Sequence, residues 1–291
     1  MAPPTQDQRI TGVRPLISPA ILLEEIAISE VASILVADMR QMSGRVLDGD
    51  DWRLAVIVGP CSIDDPAACL EYPHRKVTAG RYRRELVGVL RCYFQEPRTT
   101  IVCKGLISDN DLGGSFGKLG LPTALEFLDT HISKCIDVLT LWAAVGARTI
   151  ESQVHRELAS EPSMPVGFGN RTDGNVQPAA AAVYIAATKT RSRGALHRGV
   201  GRVPHRGQSH LSRNPEGRLA QRGPAQVQEI GKPLADRHFR ARLIVGCSHG
   251  NSLKDHRRQL EVATSVGIQV SAGSRGILGV MLESQPVEGR Q

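Results

Sequence analysis

The chain has 291 residues, enough for one (β/α)8 barrel of about 250 residues or for two smaller domains. Its 41% hydrophobic and 22% charged residues are typical of a globular protein in water, and no apolar run approaches the roughly 18 residues of a membrane span. The net charge of +7 does not indicate a nucleic-acid-binding protein, because residues 189–224 alone carry nine Lys or Arg and one acid, which leaves the remainder nearly neutral.

The first residues and the cysteines indicate the compartment. The opening stretch MAPPTQDQRITGVRPL lacks the basic region and the apolar core of a signal peptide. None of the six cysteines belongs to a CxxC pair, so they are expected to be thiols or metal ligands rather than a disulfide framework. We therefore expect a cytoplasmic protein.

Seven short apolar runs, each ending in polar residues, follow one another along the chain. They are LAVIVGPCS (54–62), VGVLRCYF (87–94), TALEFLD (123–129), WAAVGARTIES (142–152), MPVGFGNRTDG (164–174), RLIVGCSHGNS (242–252) and ILGVMLES (277–284). None alternates apolar with polar residues, so each predicts a strand buried on both faces. Helical stretches such as DPAACLEYPHRKVTAGRYRRE and SLKDHRRQLEVATSV lie between them. Repeated strand–helix units predict a parallel α/β sheet. We interpret residues 51–291 as a (β/α)8 barrel and residues 1–50 as an N-terminal extension.

The basic segment, residues 189–224, occupies the place of the eighth strand. Residues 185–238 contain no aromatic side chain, and apolar runs within the basic segment are at most two residues long. Such a composition cannot bury enough apolar surface to offset the entropy of ordering. We therefore expect the segment to be disordered or loosely docked. A barrel that lacks this strand would have two unpaired edges and would be prone to aggregate.

The carboxyl ends of barrel strands form the catalytic face of this fold. Here they supply six residues with chemical functions: Cys61, Arg91, Glu126, Arg148, His249 and Glu283. Thiol, imidazole and carboxylate groups bind metals, and arginines bind anionic substrates. Each residue alone has an ordinary structural explanation, such as core packing for a cysteine at a strand end. Their occurrence at equivalent ends of different strands favours a site.

Eight phrases in this order carry a family resemblance: GPCSIDDP, YFQEPRTT, KGLISD, EFLD, GARTIESQVHRELAS, PVGFGNRTDG, CSHGNS and GVMLESQPVEG. They closely resemble the bacterial and fungal type I 3-deoxy-D-arabino-heptulosonate 7-phosphate (DAHP) synthases, over roughly residues 5–180 and 240–291. The resemblance implies a (β/α)8 barrel with one divalent metal ion (Mn, Fe, Co or Zn). It also implies condensation of phosphoenolpyruvate with erythrose 4-phosphate, which opens the shikimate pathway to chorismate and the aromatic amino acids.

The resemblance assigns roles to residues at matching positions. Three resemble the metal ligands: Cys61, His249 and Glu283. Three resemble phosphoenolpyruvate contacts: Arg91, Lys104 and Arg148. Three lie in the loop that resembles the erythrose 4-phosphate site: Pro97, Arg98 and Thr99. Glu126 belongs to the EFLD motif and is assigned to substrate binding. The residues expected to take part in catalysis are Lys104, Arg148 and His249. We also expect a homo-oligomer.

Several positions depart from the family pattern. Glu96 and Gly169 stand where the family has lysines that face the substrates, and Gly246 stands where it has an aspartate. A helix-length piece is absent after Lys118, and the sequence ends at VEGRQ, before the family's fourth metal ligand. In this region the family has a strand that ends in VTK, a TxGN turn and an LRGG motif with a phosphate-binding arginine. Here the basic segment replaces all three, and only ATK remains.

Three functional interpretations remain open at this point. The chain is an enzyme of this family, a catalytically impaired relic of it, or a protein that binds a polyanion through its Arg/His-rich segment. The third has weak support, because a basic run without aromatic residues offers no platform for stacking bases. The basic segment itself is explained by divergence, a frameshift or a sequence error, since a one-base shift of the PHRGQ codons permits Thr-x-Gly-Asn.

Overall fold

The computed structural model describes residues 18–25, 27–63, 71–72, 82–93, 123–130, 132–188, 190–196, 199–205, 211–214, 223–240, 242–285 and 288. Ten strands are assigned there: β1 (Leu54–Gly59), β2 (Leu86–Arg91), β3 (Thr123–Glu126), β4 (Thr140–Val145), β5 (Val166–Gly169), β6 (Thr190–Leu196), β7 (Gly199–His205), β8 (Leu211–Asn214), β9 (Leu243–Gly246) and β10 (Ile277–Glu283). The helices are α1 (Pro19–Glu25), α2 (Glu30–Asp48), α3 (Ile132–Ile136), α4 (Gln153–Leu158), α5 (Gln177–Ala187), α6 (Pro224–Ala235) and α7 (Gln259–Ser271).

Eight of these strands form a closed parallel barrel, in the order β1, β10, β9, β8, β5, β4, β3, β2 and back to β1. All seven strands predicted from apolar runs are present in it, which confirms the barrel. Strands β4, β5 and β9 are buried along their whole length. Fully buried strands agree with their continuous apolar sequences, because helices and the barrel interior cover both faces.

The expectation that the basic segment leaves the barrel one strand short is wrong. Strand β8 lies within that segment and pairs with β5 from Val166↔Leu211 to Gly169↔Asn214, and with β9 at Arg213↔Leu243. The prediction failed because it required a long apolar run, whereas a four-residue strand is held by main-chain pairing to both neighbours. Elsewhere in the described part of the segment, β6 and β7 form an antiparallel hairpin outside the barrel sheet.

Helix α2 closes one end of the barrel. It begins after Ser29, whose hydroxyl oxygen accepts from the Ala32 N–H (3.2 Å), and it ends at Gly49 in the left-handed conformation (φ 78°). Val46 and Leu47 of its last turn join a buried cluster with side chains from the barrel strands. A residual cavity of about 30 Å³ lies between them. The extension therefore shares the barrel's core.

Arg40 fixes α2 to the start of β4. Its guanidinium donates to the carbonyl oxygens of Thr140 (2.9 Å) and Asp137, and it lies 3.4 Å from the Asp137 carboxylate. Burial raises the pKa of the Asp137 carboxyl group above its ordinary value, although the positive charges of Arg40 and Lys134 oppose the rise. Among the described helices, none is long and apolar enough to cross a membrane.

Gly279 is a point where β10 and β1 approach too closely for a side chain. A Cβ at this position would collide with the carbonyl oxygen of Ala55. We expect Gly279→Ala to lower the free energy of unfolding by about 2 kcal/mol, because backbone pairing on both sides prevents the strands from separating. Urea denaturation followed by circular dichroism would measure the change.

Gly88→Ala in β2 is the matched control, because a Cβ there meets no atom within 4 Å. We expect it to change the free energy of unfolding by less than about 0.5 kcal/mol. Equal destabilisation by the two substitutions would show that the close approach at Gly279 is not the cause.

Candidate active site

Six of the predicted site residues lie at one end of the barrel, on contiguous strands. Strands β4, β3, β2, β1, β10 and β9 are neighbours in that order. At or shortly after their last residues they carry, in the same order, Arg148, Glu126, Arg91, Cys61, Glu283 and His249. Because all these strands are parallel, their carboxyl ends share one face. The remaining predicted residues, Pro97, Arg98, Thr99 and Lys104, lie outside the described part of the chain.

Among the described residues of this face, Arg91 is the most deeply buried cation, with only 3% of its side chain exposed. Its Nη1 donates to the carbonyl oxygens of Pro60 and Cys61, and its Nη2 lies 3.2 Å from Glu283 Oε1. The guanidinium also stacks on Tyr93, with Cζ 3.6 Å from the ring centroid. One guanidinium therefore joins three neighbouring strand ends and is fixed in position before any ligand binds.

Glu283, the last residue of β10, is held by its backbone from both sides. Strand pairing aligns it with Gly59 of β1, and the next N–H, of Ser284, donates to the Gly59 carbonyl oxygen (2.8 Å). On the other side, the Gln259 side chain accepts from the Glu283 N–H (3.0 Å) and donates to the Glu283 carbonyl oxygen (2.8 Å). The carboxylate is thus aimed from a rigid strand end towards Arg91.

Cys61 lies two residues after β1, in the GPCS turn. A Cβ at Gly59 would collide with the Arg91 carbonyl oxygen, so glycine is needed where β1 and β2 converge. The Cys61 side chain is half-buried, and its own carbonyl oxygen accepts from Arg91. The glycine in this motif therefore brings the Cys61 backbone next to the buried guanidinium.

Glu126 and Arg148 mark the next two strand ends. The Glu126 carboxylate lies over Gly146, where a Cβ would collide with it. Arg148 follows in the turn after β4 and is exposed, and the turn is held by the Thr149 N–H, which donates to the Gly146 carbonyl oxygen (3.1 Å). In the part that the structure describes, the face thus carries a buried arginine, Arg91, and an exposed one, Arg148, which suits ligands with two anionic groups.

His249 lies in a tight turn after β9 and has an exposed side chain and a left-handed backbone (φ 53°). Its carbonyl oxygen accepts from the Lys254 N–H (2.8 Å), which closes the turn. Within the described residues, no three side chains of His, Cys, Asp and Glu lie close enough to hold a metal ion. The structure places the three predicted ligands on adjacent strand ends but does not assemble them around one point.

Two residues of this face were not predicted. Tyr93 lies two positions after Arg91, and its phenol hydroxyl is 3.9 Å from Met281 Sδ. Gln259 shares the buried side of α7 with Val262, Val266 and Gln269. A glutamine in line with the apolar residues of a buried helix stripe is a pattern that could have identified Gln259, because a buried amide needs hydrogen-bond partners.

Comparison with known proteins matches this chain to one family. Residues 26–291 fit the model of the DAHP synthetase I family. The Trp-sensitive phospho-2-dehydro-3-deoxyheptonate aldolase of Buchnera aphidicola (subspecies Acyrthosiphon pisum, strain APS) is 41% identical over 99% of this chain and 88% of its own length. The Tyr-sensitive enzyme of Escherichia coli K12 is 40% identical over 97% of this chain and 85% of its own length.

The fold gives the same result. The structure of phospho-2-dehydro-3-deoxyheptonate aldolase from Francisella tularensis SCHU S4 superimposes with a TM-score of 0.90 at 35% identity, covering 97% of this chain and 88% of that one. The alignment with the Buchnera relative spans 311 positions, more than the 291 residues present here. That relative therefore contains residues with no counterpart in this chain.

Proposed function

This chain belongs to the DAHP synthetase I family, and from that premise we propose that it condenses phosphoenolpyruvate with D-erythrose 4-phosphate to give DAHP and phosphate. Atom balance requires one water molecule, because a carbon–carbon bond forms at C3 of phosphoenolpyruvate while C2 gains an oxygen and releases phosphate. Both substrates carry phosphate groups. The site must therefore present fixed positive charge and orient two anions towards each other.

The observation that carries this proposal is the buried Arg91 guanidinium at the carboxyl-terminal face. Two carbonyl oxygens, Glu283 and Tyr93 hold it in place, so little reorganisation is needed when an anion arrives. Arg148 supports the proposal from the exposed side of the same face. Arg91 would orient phosphoenolpyruvate near the barrel axis, and Arg148 would contact it from the turn after β4.

We also propose that the enzyme uses one divalent metal ion, bound by Cys61, His249 and Glu283. The chemistry of these donors suits Fe, Co or Zn, and Mn is the further candidate that the family resemblance supplies. Their described arrangement does not form a ready site, because Glu283 faces Arg91 and the His249 side chain is exposed. We therefore assign no chemical step to the metal.

A specific observation favours the second interpretation, a catalytically impaired relic. Gly169 is the last residue of β5, and Gly246 is the last residue of β9. At two strand ends the face thus presents no side chain where the family pattern has a lysine and an aspartate. A cytoplasmic location and assembly into a homo-oligomer are further predictions. Polyanion binding through the Arg/His-rich segment is the weaker alternative function.

One assay distinguishes an active enzyme from a catalytically impaired relic and tests whether activity depends on a metal ion. Purified protein is incubated with both substrates and Mn²⁺, and DAHP and phosphate are measured. We expect both products in equal amounts, no products after chelation, and restored synthesis when Mn²⁺ is added back. Cys61→Ala should lower the bound-metal content measured by atomic spectroscopy at least about tenfold, because a thiolate ligand is removed.

Cys135→Ala is the control, since that cysteine is buried within α3 and is not at a strand end. It should leave the metal content unchanged. Absence of product with Mn²⁺ present would support the relic. Full metal content in Cys61→Ala would remove that residue from the proposed ligand set.

A further inference from the structure

Gln259 connects two elements of the active-site face. It is the first residue of α7, and only 7% of it is exposed. We propose that Gln259 is a positioning residue, which fixes Glu283 and the Ser248–His249 turn for catalysis. This inference rests on the DAHP synthase function proposed above.

The amide of Gln259 makes the hydrogen bonds to Glu283 that β9 would make if it continued past Gly246. Strand β9 pairs with β10 only as far as Gly246↔Met281, and the Cys247 N–H then donates to the Met281 carbonyl oxygen (2.7 Å). Two residues later His249 adopts a positive φ, so the chain turns away from β10. A primary amide presents an acceptor oxygen and an N–H donor side by side, as the C=O and N–H of one residue do along the edge of a strand. Gln259 Oε1 and Nε2 therefore complete the pairing of Glu283.

The same amide oxygen also holds the turn that carries His249. Gln259 Oε1 accepts from Ser248 Oγ (3.1 Å), and Ser248 is buried directly before His249. Asn251 Nδ2 donates to the Gly246 carbonyl oxygen (2.7 Å) and fixes the start of the turn. One side chain thus links the end of β10 to the turn after β9.

Loss of this amide would leave the half-buried N–H and carbonyl groups of Glu283 without their partner on this side. Unsatisfied buried groups are costly, so the end of β10 would open locally to reach water. The Glu283 carboxylate would then no longer be held 3.2 Å from Arg91. Small displacements of this kind reduce catalysis without unfolding the protein.

Hydrogen exchange in the metal-free protein tests the contact directly. In Gln259→Met the peptide that covers residues 281–285 should exchange about tenfold faster than in the wild type. Gln269→Met is the matched control, because Gln269 is an equally buried glutamine of α7 that donates to Ser265 in the same helix (3.3 Å). It should leave this peptide unchanged. Equal exchange of residues 281–285 in the two variants would overturn the proposal.

Kinetics then test positioning. We expect Gln259→Met to lower kcat about thirtyfold with a smaller change in KM for phosphoenolpyruvate, and Gln269→Met to keep both. Gln259→Glu keeps the acceptor oxygens but loses the Nε2 donor, so residues 281–285 should exchange at a rate between those of the wild type and Gln259→Met. If Gln259→Met does not fold, Gln259→Glu takes its place. Faster exchange with wild-type kcat would overturn the positioning role. An inactive wild type would refute the proposed function, while the exchange data would still decide whether Gln259 holds Glu283.

Discussion

Arg91→Met is expected to weaken phosphoenolpyruvate binding about a hundredfold and to lower kcat/KM about a thousandfold. Methionine fills a similar volume but offers no charge and no N–H donor to a phosphate or carboxylate. The substitution also leaves the Glu283 carboxylate without its counter-charge and removes the donor to the carbonyl oxygens of Pro60 and Cys61. Titration calorimetry measures the affinity and needs no turnover.

Arg40→Met is the control for Arg91, because Arg40 is a half-buried arginine with carbonyl and carboxylate partners at the opposite end of the barrel. Below its unfolding temperature it should bind phosphoenolpyruvate as the wild type does. Arg91→Lys should recover part of the affinity, because it keeps the charge without the planar fork. Wild-type affinity in Arg91→Met would show that Arg91 is only a structural link between strands.

Arg40→Met is itself expected to lower the free energy of unfolding by about 3 kcal/mol at pH 7.5, because it breaks a half-buried ion pair and two hydrogen bonds to carbonyl oxygens. The effect should depend on pH. Burial already raises the pKa of Asp137 in the folded wild type, and loss of Arg40 removes an interaction that opposes the rise. A folded-state pKa above the unfolded value of about 3.9 means that stability is lost as pH increases. The penalty of the substitution should therefore be smaller at pH 4.5 than at pH 7.5.

Urea denaturation of the wild type and Arg40→Met across this pH range would measure the trend. The double variant Arg40→Met with Asp137→Asn should recover part of the loss at pH 7.5, because the uncompensated carboxylate is gone. Arg53→Met is a suitable comparison, since its partner Asp51 is only two residues away in the sequence. It should cost no more than about 1 kcal/mol. A penalty for Arg40→Met that does not vary with pH would exclude Asp137 ionisation as its cause.

Most of the barrel could be predicted because its strands are buried on both faces. The apolar sequences of β2 and β10 indicate this directly, and their polar ends led to Arg91 and Glu283. Strand β8 could not be predicted in this way, since its pairing to β5 and β9 depends on main-chain groups that every residue has.

Contacts within the site were harder to predict from the sequence. The pair between Arg91 and Glu283 depends on the alignment of Glu283 with Gly59, which long-range strand pairing sets. The role of Gln259 depends on where β9 turns away, and the left-handed turn at His249 is not evident from residue type. Sequence therefore identified six residues that reach the face but missed Tyr93 and Gln259, and tertiary structure determined which of them meet.

Closure of the barrel between β1 and β10 has a consequence for synthesis of the protein in the cell. The two strands pair along five residues, yet they lie near opposite ends of the chain. During translation, β1 emerges early and keeps one edge without its partner until β10 has left the ribosome. An exposed strand edge of apolar sequence invites pairing with other chains. The nascent chain should therefore depend on chaperones until its last strand is available, and its yield should fall steeply when they are depleted.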